Sequence, residues 1–141
     1  MEKILNAWCD NRRIYINTSE NRTLSRPLEA FPLLMDASPN ERSQVSVGKF
    51  GDDLRWDNLD EDIHISSFYE TVEPDYNNEI ARLFSMFPQL NVSEVARSMG
   101  INKSLLAKYI YGITKPSKER ENQIKSVLNK LGQSLLAATT I

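Results

Sequence analysis

Only one cysteine, Cys9, occurs among the 141 residues, so no disulfide can form within the chain. The chain has no apolar run approaching the roughly 20 residues that a membrane-spanning helix needs. Its N-terminus, MEKILNAWCDNRR, does not place a basic start before an apolar core, so we expect no secretory signal. Together these absences favour a reducing compartment, and we expect a cytoplasmic protein.

The sequence also lacks the motifs that mark many enzymes and metalloproteins. It has no Gly-rich phosphate loop, zinc-ligand spacing or nucleophile elbow. His64 is the only histidine, and its position between Ile63 and Ile65 predicts the outer face of a strand, with no local catalytic partner. Cys9 beside Trp8 is typical of a small core residue. We therefore predict no enzymatic activity, no cofactor and no metal.

One acidic cluster offers the oxygen ligands that a hard metal ion prefers. It comprises Asp57, Asp60, Glu61 and Asp62. A metal-dependent hydrolase would need carboxylates that converge from separate elements, whereas Asp60 and Asp62 are expected to point in different directions. We favour a solvated acidic loop, then a protein-binding surface, and a hydrolase least.

Charge is divided unevenly along the chain. Residues from Asn77 onward include nine basic and four acidic residues, a net charge of +5. Residues 1–76 include eight basic and fifteen acidic residues, a net charge of −7. This asymmetry indicates two modules with different partners, and the basic module suits a polyanion.

The first 73 residues predict a small α+β domain. Short strands are expected at ILNAWCD, RRIYINTSE and NRTLSRPLEA, and Pro27 restricts the third to an edge or an end. Pro32 and Pro39 suit the first turns of short helices, with Ser38 as an N-cap. VSVGKF and LRWDN predict a hairpin around Gly51. The residues expected in the core or an interface are Trp56, Ile63, Ile65, Phe68 and Tyr69.

Residues 77–141 predict an all-α domain of four to five helices, preceded by a candidate linker, TVEPDYNN. The inward residues expected on the first of these helices are Ile80, Leu83, Phe84 and Phe87. Those on the last helix, which begins after Ser117, are Ile124, Val127, Leu128 and Leu131, with Leu135 and Leu136 extending the stripe through Gly132. The predicted fold class is therefore α+β, with a small antiparallel sheet and a short helix followed by helices alone.

Two of the helices are predicted to meet at Gly100. Asn91 and Glu94 have the spacing of a capping box at the start of the first. Gly100 tolerates the left-handed backbone that commonly ends a helix, and Asn102 can cap the next one. The stretch NVSEVARSMGINKSLLAKYIYG therefore predicts two short helices joined by a tight turn.

This spacing resembles the helix-turn-helix of phage-repressor-like DNA-binding domains over Asn91 to Ser117, and more loosely over Asn77 to Leu136. The resemblance implies that the second helix enters the major groove of double-stranded DNA. The residues that it places near DNA are Asn102, Lys103, Ser104, Ala107, Lys108, Tyr111, Lys115 and Lys118. No arginine lies among them, which predicts modest base specificity because arginine makes the commonest specific base contact.

The first domain also resembles a known family. RPLEAFPLLMDASPNERSQ and LRWDNLDEDIHISSF are similar to the two signatures of a small bacterial domain family of unknown function, over roughly Ile4 to Phe68. The resemblance implies a few strands packed with a short helix. It also implies that some members carry a C-terminal helix-turn-helix, and that others accompany a small neighbouring protein, as toxins and antitoxins do.

These patterns predict a sequence-specific DNA-binding transcriptional regulator of a small bacterial operon, acting as a homodimer on a two-fold site. The alternative is a protein-interaction module, or an antitoxin-like partner bound through the acidic N-terminal domain, in which DNA binding is secondary or absent. Burial of the outer face from Asn102 to Lys108 would favour the alternative.

Overall fold

A computed structural model describes residues 1–141, which form two compact units, Met1–Pro74 and Asp75–Ile141. We call them the N-terminal unit and the helical unit. With this boundary the N-terminal unit has eight basic and fourteen acidic residues, a net charge of −6. The helical unit has nine basic and five acidic residues, a net charge of +4. The predicted α+β class is confirmed.

The N-terminal unit begins with a three-stranded antiparallel sheet in the order β1-β2-β3. Its strands are β1 (Ile4–Cys9), β2 (Arg13–Thr18) and β3 (Thr23–Pro27). The alternation along β2 is that of a sheet with one buried face, since Ile14 and Ile16 are fully buried and Tyr15 is not. Pro27 ends the edge strand β3, as predicted, because it has no N–H to donate to a neighbouring strand.

Two short helices follow, α1 (Pro32–Met35) and α2 (Pro39–Arg42), each with proline in its first turn. Ser38 caps α2 through a complete capping box with Glu41, as its sequence position predicts. A second antiparallel sheet has the order β4-β5-β6. Its strands are β4 (Ser46–Val47), β5 (Asp53–Trp56) and β6 (Glu61–His64). Short 3₁₀ turns occur at Leu28–Ala30, Asp57–Leu59 and Ile65–Tyr69.

Trp56 lies in the core of the N-terminal unit, as predicted, and its indole N–H donates to the Arg42 carbonyl at 2.9 Å. Ile63 and Phe68 are also buried, and Ile65 packs partly against the same core. The prediction for Tyr69 was wrong for the core, because this side chain is 48% exposed. Its hydroxyl donates to Glu2 and accepts from Arg22, so it contributes to a polar surface network.

The helical unit contains four helices. They are α3 (Glu79–Met86), α4 (Val92–Met99), α5 (Lys103–Tyr111) and α6 (Lys118–Thr139). Its core is built from one face of each helix, and the buried residues are Ile80, Val95, Ala96, Leu106, Tyr109 and Ile124. No helix is both long enough and apolar enough to cross a membrane.

Four apolar residues predicted to face inward are exposed. Phe87 is exposed because α3 ends at Met86, which leaves Phe87 in a non-helical conformation. Leu131, Leu135 and Leu136 are exposed because α6 continues through Gly132 beyond the helices that cover its first half.

The segment predicted to be a linker is held along most of its length. Within the N-terminal unit, the buried Arg26 guanidinium donates to the carbonyl oxygens of Glu70 and Val72 at 2.9 and 2.8 Å. Arg13 forms an ion pair with Glu73 at 2.6 Å, and the hydrogen bond from Arg13 lowers the pKa of this carboxyl. These bonds hold the chain at Glu70, Val72 and Glu73 within the N-terminal unit.

Candidate nucleic-acid interface

Gly100 joins α4 and α5 in the left-handed conformation, with φ of +70°. The Gly100 N–H donates to Arg97 and the Ile101 N–H donates to Ala96, at 3.0 and 3.1 Å, so the last carbonyls of α4 are satisfied. Asn102 then begins α5, and its Oδ1 accepts from the Ser104 N–H at 2.7 Å. The chain therefore ends one helix and starts the next within three residues.

The start of α4 follows the prediction in part. Asn91 Oδ1 accepts from the Glu94 N–H at 3.2 Å, which satisfies one of the free donors of the first turn. The Glu94 side chain does not complete the capping box but forms an ion pair with Arg97 at 3.4 Å. Only the Asn91 half of the predicted box is present.

Packing of α4 against α5 depends on the small side chain of Ala96. Ala96 and Val95 are buried on the inner face of α4, and Leu106 and Tyr109 are buried on that of α5. A larger residue than Ala96 at this contact would force the helices apart because the interior is close-packed. The inner face of α5 is thus committed to the core, and the opposite side is left to solvent.

The outward side of α5 carries Ser104, Lys108 and Tyr111, at the i, i+4, i+7 spacing of one helix face. All three are half-buried, whereas Lys103 and Asn102, at the leading end, are exposed. We call these five residues the α5 surface. The structure thus brings together five of the eight residues that the sequence placed near DNA.

Ala107 does not belong to this surface. Its side chain is only 6% exposed, so it is part of the packing of α5 and cannot contact an external ligand. The sequence pattern misplaced it because the residue lies about 100° around the helix from Lys108, on the side next to buried Leu106. Its small size suits a close helix contact better than a contact to a base.

Asn102 and Tyr111 of the α5 surface form contacts within the helical unit. The Oδ1 of Asn102 is occupied by the helix cap, which leaves only its Nδ2 to donate outward. The Tyr111 ring packs edge-on against Tyr76, with centroids 5.9 Å apart and an interplanar angle of 65°. The Asn102 oxygen and one face of the Tyr111 ring are thus engaged in contacts within the unit.

The end of α5 is held by residues that precede α3. Gly112 ends the helix in the left-handed conformation, with φ of +73°. The Asp75 N–H donates to the Tyr111 carbonyl at 2.8 Å, and Asn78 Nδ2 donates to the Ile110 carbonyl at 3.3 Å. Asn78 also caps α3 by accepting from the Ala81 N–H at 2.8 Å. The N-cap role of Asn78 was not among the predictions, although an asparagine before an acidic residue and an apolar stripe is an N-cap signal.

Lys115 and Lys118 lie beyond α5 and are both exposed. Lys115 lines a cavity of about 330 Å³ together with the carboxylate-bearing residues Asp75, Glu79 and Glu121. Lys125 bridges two of these carboxylates, at 2.9 Å to Glu79 and 3.3 Å to Glu121, and its hydrogen bond lowers the pKa of Glu79. Lys118 stands at the first position of α6 and is not among the residues that line this cavity.

The acidic cluster of the N-terminal unit is organised around Arg55. Its guanidinium contacts Asp57, Asp60 and Asp62 at 3.0, 2.8 and 2.9 Å, which raises the pKa of Arg55. The expectation that Asp60 and Asp62 point apart was wrong, because Asp60 adopts a left-handed conformation, with φ of +51°, and turns toward the arginine. No group of three or more His, Cys, Asp or Glu residues is arranged to hold a metal ion.

A family model described as a protein of unknown function, DUF2442, matches residues 4–74, half of the chain. The chain belongs to this family. The resemblance of the N-terminal region to a small domain family of unknown function is thereby confirmed, and the family description assigns no activity. No curated protein matches the chain.

Two solved structures are similar to the chain. A protein of unknown function from Rhodospirillum rubrum ATCC 11170 has 21% sequence identity and a TM-score of 0.43, and the match covers 50% of this chain and 93% of that one. A candidate DNA-binding protein, NE0471 from Nitrosomonas europaea ATCC 19718, has 12% identity and a TM-score of 0.38, with 88% of this chain and 84% of that one covered.

Proposed function

We propose that the helical unit is a helix-turn-helix domain that binds double-stranded DNA through α5, and that the chain is a transcriptional regulator of a small bacterial operon. The observation that carries the proposal is the joint at Gly100. It buries the inner faces of two short helices, leaves the leading end of the second one exposed and leaves the rest of its polar side half-buried. In helix-turn-helix proteins the second helix of such a pair lies in the major groove, with its N-terminal residues at the base edges.

The chemistry of the α5 surface suits this role. Lys103 is at the leading end of α5, where base edges would be closest, and lysine can donate to the O6 and N7 acceptors of guanine. Ser104 can donate or accept, so it adapts to several bases. Lys108 lies one turn further along the helix and can reach a base or a phosphate. Asn102 contributes the N–H donors of its Nδ2, while a bidentate contact to adenine would also use the oxygen that now caps α5.

Charge supports binding to a polyanion by the helical unit. Its net charge of +4 contrasts with −6 in the N-terminal unit. Phosphate contacts position a protein on DNA without specifying sequence, and each contact releases counterions. We assign such a role to Lys118, and a weaker one to Lys115 because the carboxylates around its cavity oppose the approach of a phosphate.

The test of this proposal begins with selection from random-sequence duplexes by the full-length chain. We expect enrichment of a preferred duplex, followed by a loss of affinity for it when Lys108 is replaced by alanine. Lys49→Ala, which removes an exposed lysine from the N-terminal unit, is the matched control and should leave affinity unchanged. A chain that enriches no duplex contradicts the regulator function and favours the protein-interaction alternative.

The phosphate contacts have a separate signature. Lys118→Ala should weaken binding to all duplexes about equally and reduce the slope of log affinity against log salt by about one. Lys115→Ala should change the slope less. An unchanged slope in Lys118→Ala, with Lys49→Ala as control, would remove this residue from the interface.

A further inference from the structure

The second half of α6 extends beyond the core of the helical unit. The helix has 22 residues, which corresponds to about 33 Å, and every residue from Asn129 onward is exposed. Among these are Leu135 and Leu136, which are 57% and 70% exposed. Several exposed leucines on a helix segment that packs against no other helix are unusual for a surface that faces only water.

These leucines continue a line that begins inside the core. Ile124, Leu128, Leu131 and Leu135 follow one another at intervals of four, three and four residues, the spacing of a coiled-coil seam. Ile124 is fully buried and Leu128 packs against the same core, whereas Leu131 and Leu135 lie beyond it. The core of the helical unit therefore covers only the first two of these four residues.

A groove runs alongside the exposed part of this seam. It has a volume of about 500 Å³ and lies between α6 and the start of α4, with Leu90, Val95, Val127 and Leu131 among its lining residues. Glu94 and Lys130 also line it, so both signs of charge are present. Helix α6 therefore carries both one wall of a groove and the leucine side chains that could fill such a groove on another copy.

The segment that carries the leucines has no charge. No Asp, Glu, Lys or Arg occurs from Leu131 to Ile141, and Gly132, Ser134 and Thr139 are poor helix formers. A helix of this composition is marginal without packing along its apolar side. Residues 131–141 themselves bring no charged group into an interface, which lowers the cost of burying this segment.

We propose that the occupant of this face is a second copy of the chain, paired through the C-terminal half of α6. A two-fold pair brings the same patch of each copy together, so Leu135 of one chain can enter the groove of the other while the reverse contact forms. The groove carries one carboxylate, Glu94, and one ammonium, Lys130, so the grooves of two copies are complementary in charge. A dimer of this kind would present two α5 helices to two half-sites of a DNA duplex. This use of the dimer rests on the proposed function, whereas the pairing of the two chains does not require DNA.

The experiment is the mass of the full-length chain in solution, measured by sedimentation over a wide range of micromolar concentrations without DNA. We expect twice the chain mass of 16.2 kDa. Leu135→Glu should weaken association by roughly 100-fold, because the pair loses two buried leucines that are each worth about tenfold or more. Gln133→Glu is the matched control, since it adds the same charge about 200° around the same helix and should leave the pair intact.

Gln133→Glu should keep the helical content and melting transition of the unaltered chain, and Leu135→Glu should still fold cooperatively, because neither side chain belongs to the core. An unaltered chain that is a monomer throughout the range overturns the pairing, as does a dimer that persists in Leu135→Glu. Neither result bears on whether α5 binds DNA. Conversely, a dimer that selects no duplex overturns the proposed function and leaves the pairing established.

Discussion

Gly112 lies so close to Asp75 that a Cβ on Gly112 would come within 2.0 Å of the Asp75 carbonyl oxygen. Asp75 reaches this position because its N–H donates to the Tyr111 carbonyl. The end of α5 therefore requires glycine for two reasons, its left-handed backbone and the close approach of another segment. This contact makes the residues before α3 part of the structure that positions α5.

The two helix-ending glycines provide a matched pair of substitutions. Both have φ near +70°, but a Cβ on Gly100 would meet no atom within 4 Å. Gly100→Ala should lower the free energy of unfolding by about 1–2 kcal/mol, the cost of a left-handed backbone for a residue with a Cβ. Gly112→Ala should cost a further 1–3 kcal/mol or so, because the Asp75 backbone must move. Urea unfolding followed by far-UV circular dichroism measures both, and equal losses would contradict the Asp75 contact.

Two substitutions of Asn102 distinguish its role as the N-cap of α5 from a direct contact with DNA. Asn102→Ala should lower the stability of the helical unit by about 1 kcal/mol, since the Ser104 N–H loses its acceptor. Asn102→Ser should keep most of that stability because serine is an equally good N-cap. If Nδ2 contacts a base, both variants should lose preference for the selected duplex. Loss of preference in the alanine variant alone would show that the cap, and not the amide, matters.

Cys9 should react slowly with thiol reagents near neutral pH. Burial raises the pKa of this thiol to about 11, so its thiolate at pH 8 is about two orders of magnitude scarcer than that of a free cysteine. The labelling rate should rise about tenfold for each pH unit up to about pH 10, and should reach the free-cysteine rate after unfolding in urea. Labelling of the folded chain at the free-cysteine rate would contradict this burial.

The acidic N-terminal unit should limit non-specific binding to DNA. A fragment of residues 75–141 has a net charge of +4, against −2 for the whole chain, so it should bind random duplex more tightly at low salt. Added salt should narrow the difference because it screens the repulsion. The fragment must begin at Asp75, whose N–H holds α5, and its mass and helical content serve as controls. Equal affinities at low ionic strength would contradict this role.

Local patterns predicted much of the fold. The alternation around Ile14 and Ile16 located the central strand, and Gly100 between Asn91 and Asn102 located the ends of two helices. These features depend on residues a few positions apart, and backbone preference alone can specify them.

The features that the sequence did not predict depend on distant residues. The contact of Asp75 with Gly112 joins segments far apart in the chain, and no local pattern encodes it. Ala107 was misplaced because a small residue fits equally well on a buried or an exposed face of a helix. The exposure of Leu135 was missed because apolar spacing predicts a face that needs a partner but does not say whether that partner is in the same chain.

The most direct test of the account is the preference of the Lys103→Ala variant for the selected duplex over a scrambled one. Fluorescence anisotropy with the full-length chain measures both affinities, with Lys49→Ala as the charge-matched control. If α5 reads DNA, the variant should lose roughly 1–3 kcal/mol on the selected duplex and less on the scrambled one, so the preference falls. An unchanged preference in Lys103→Ala, together with unaltered folding, would contradict the claim that the leading end of α5 specifies the DNA sequence.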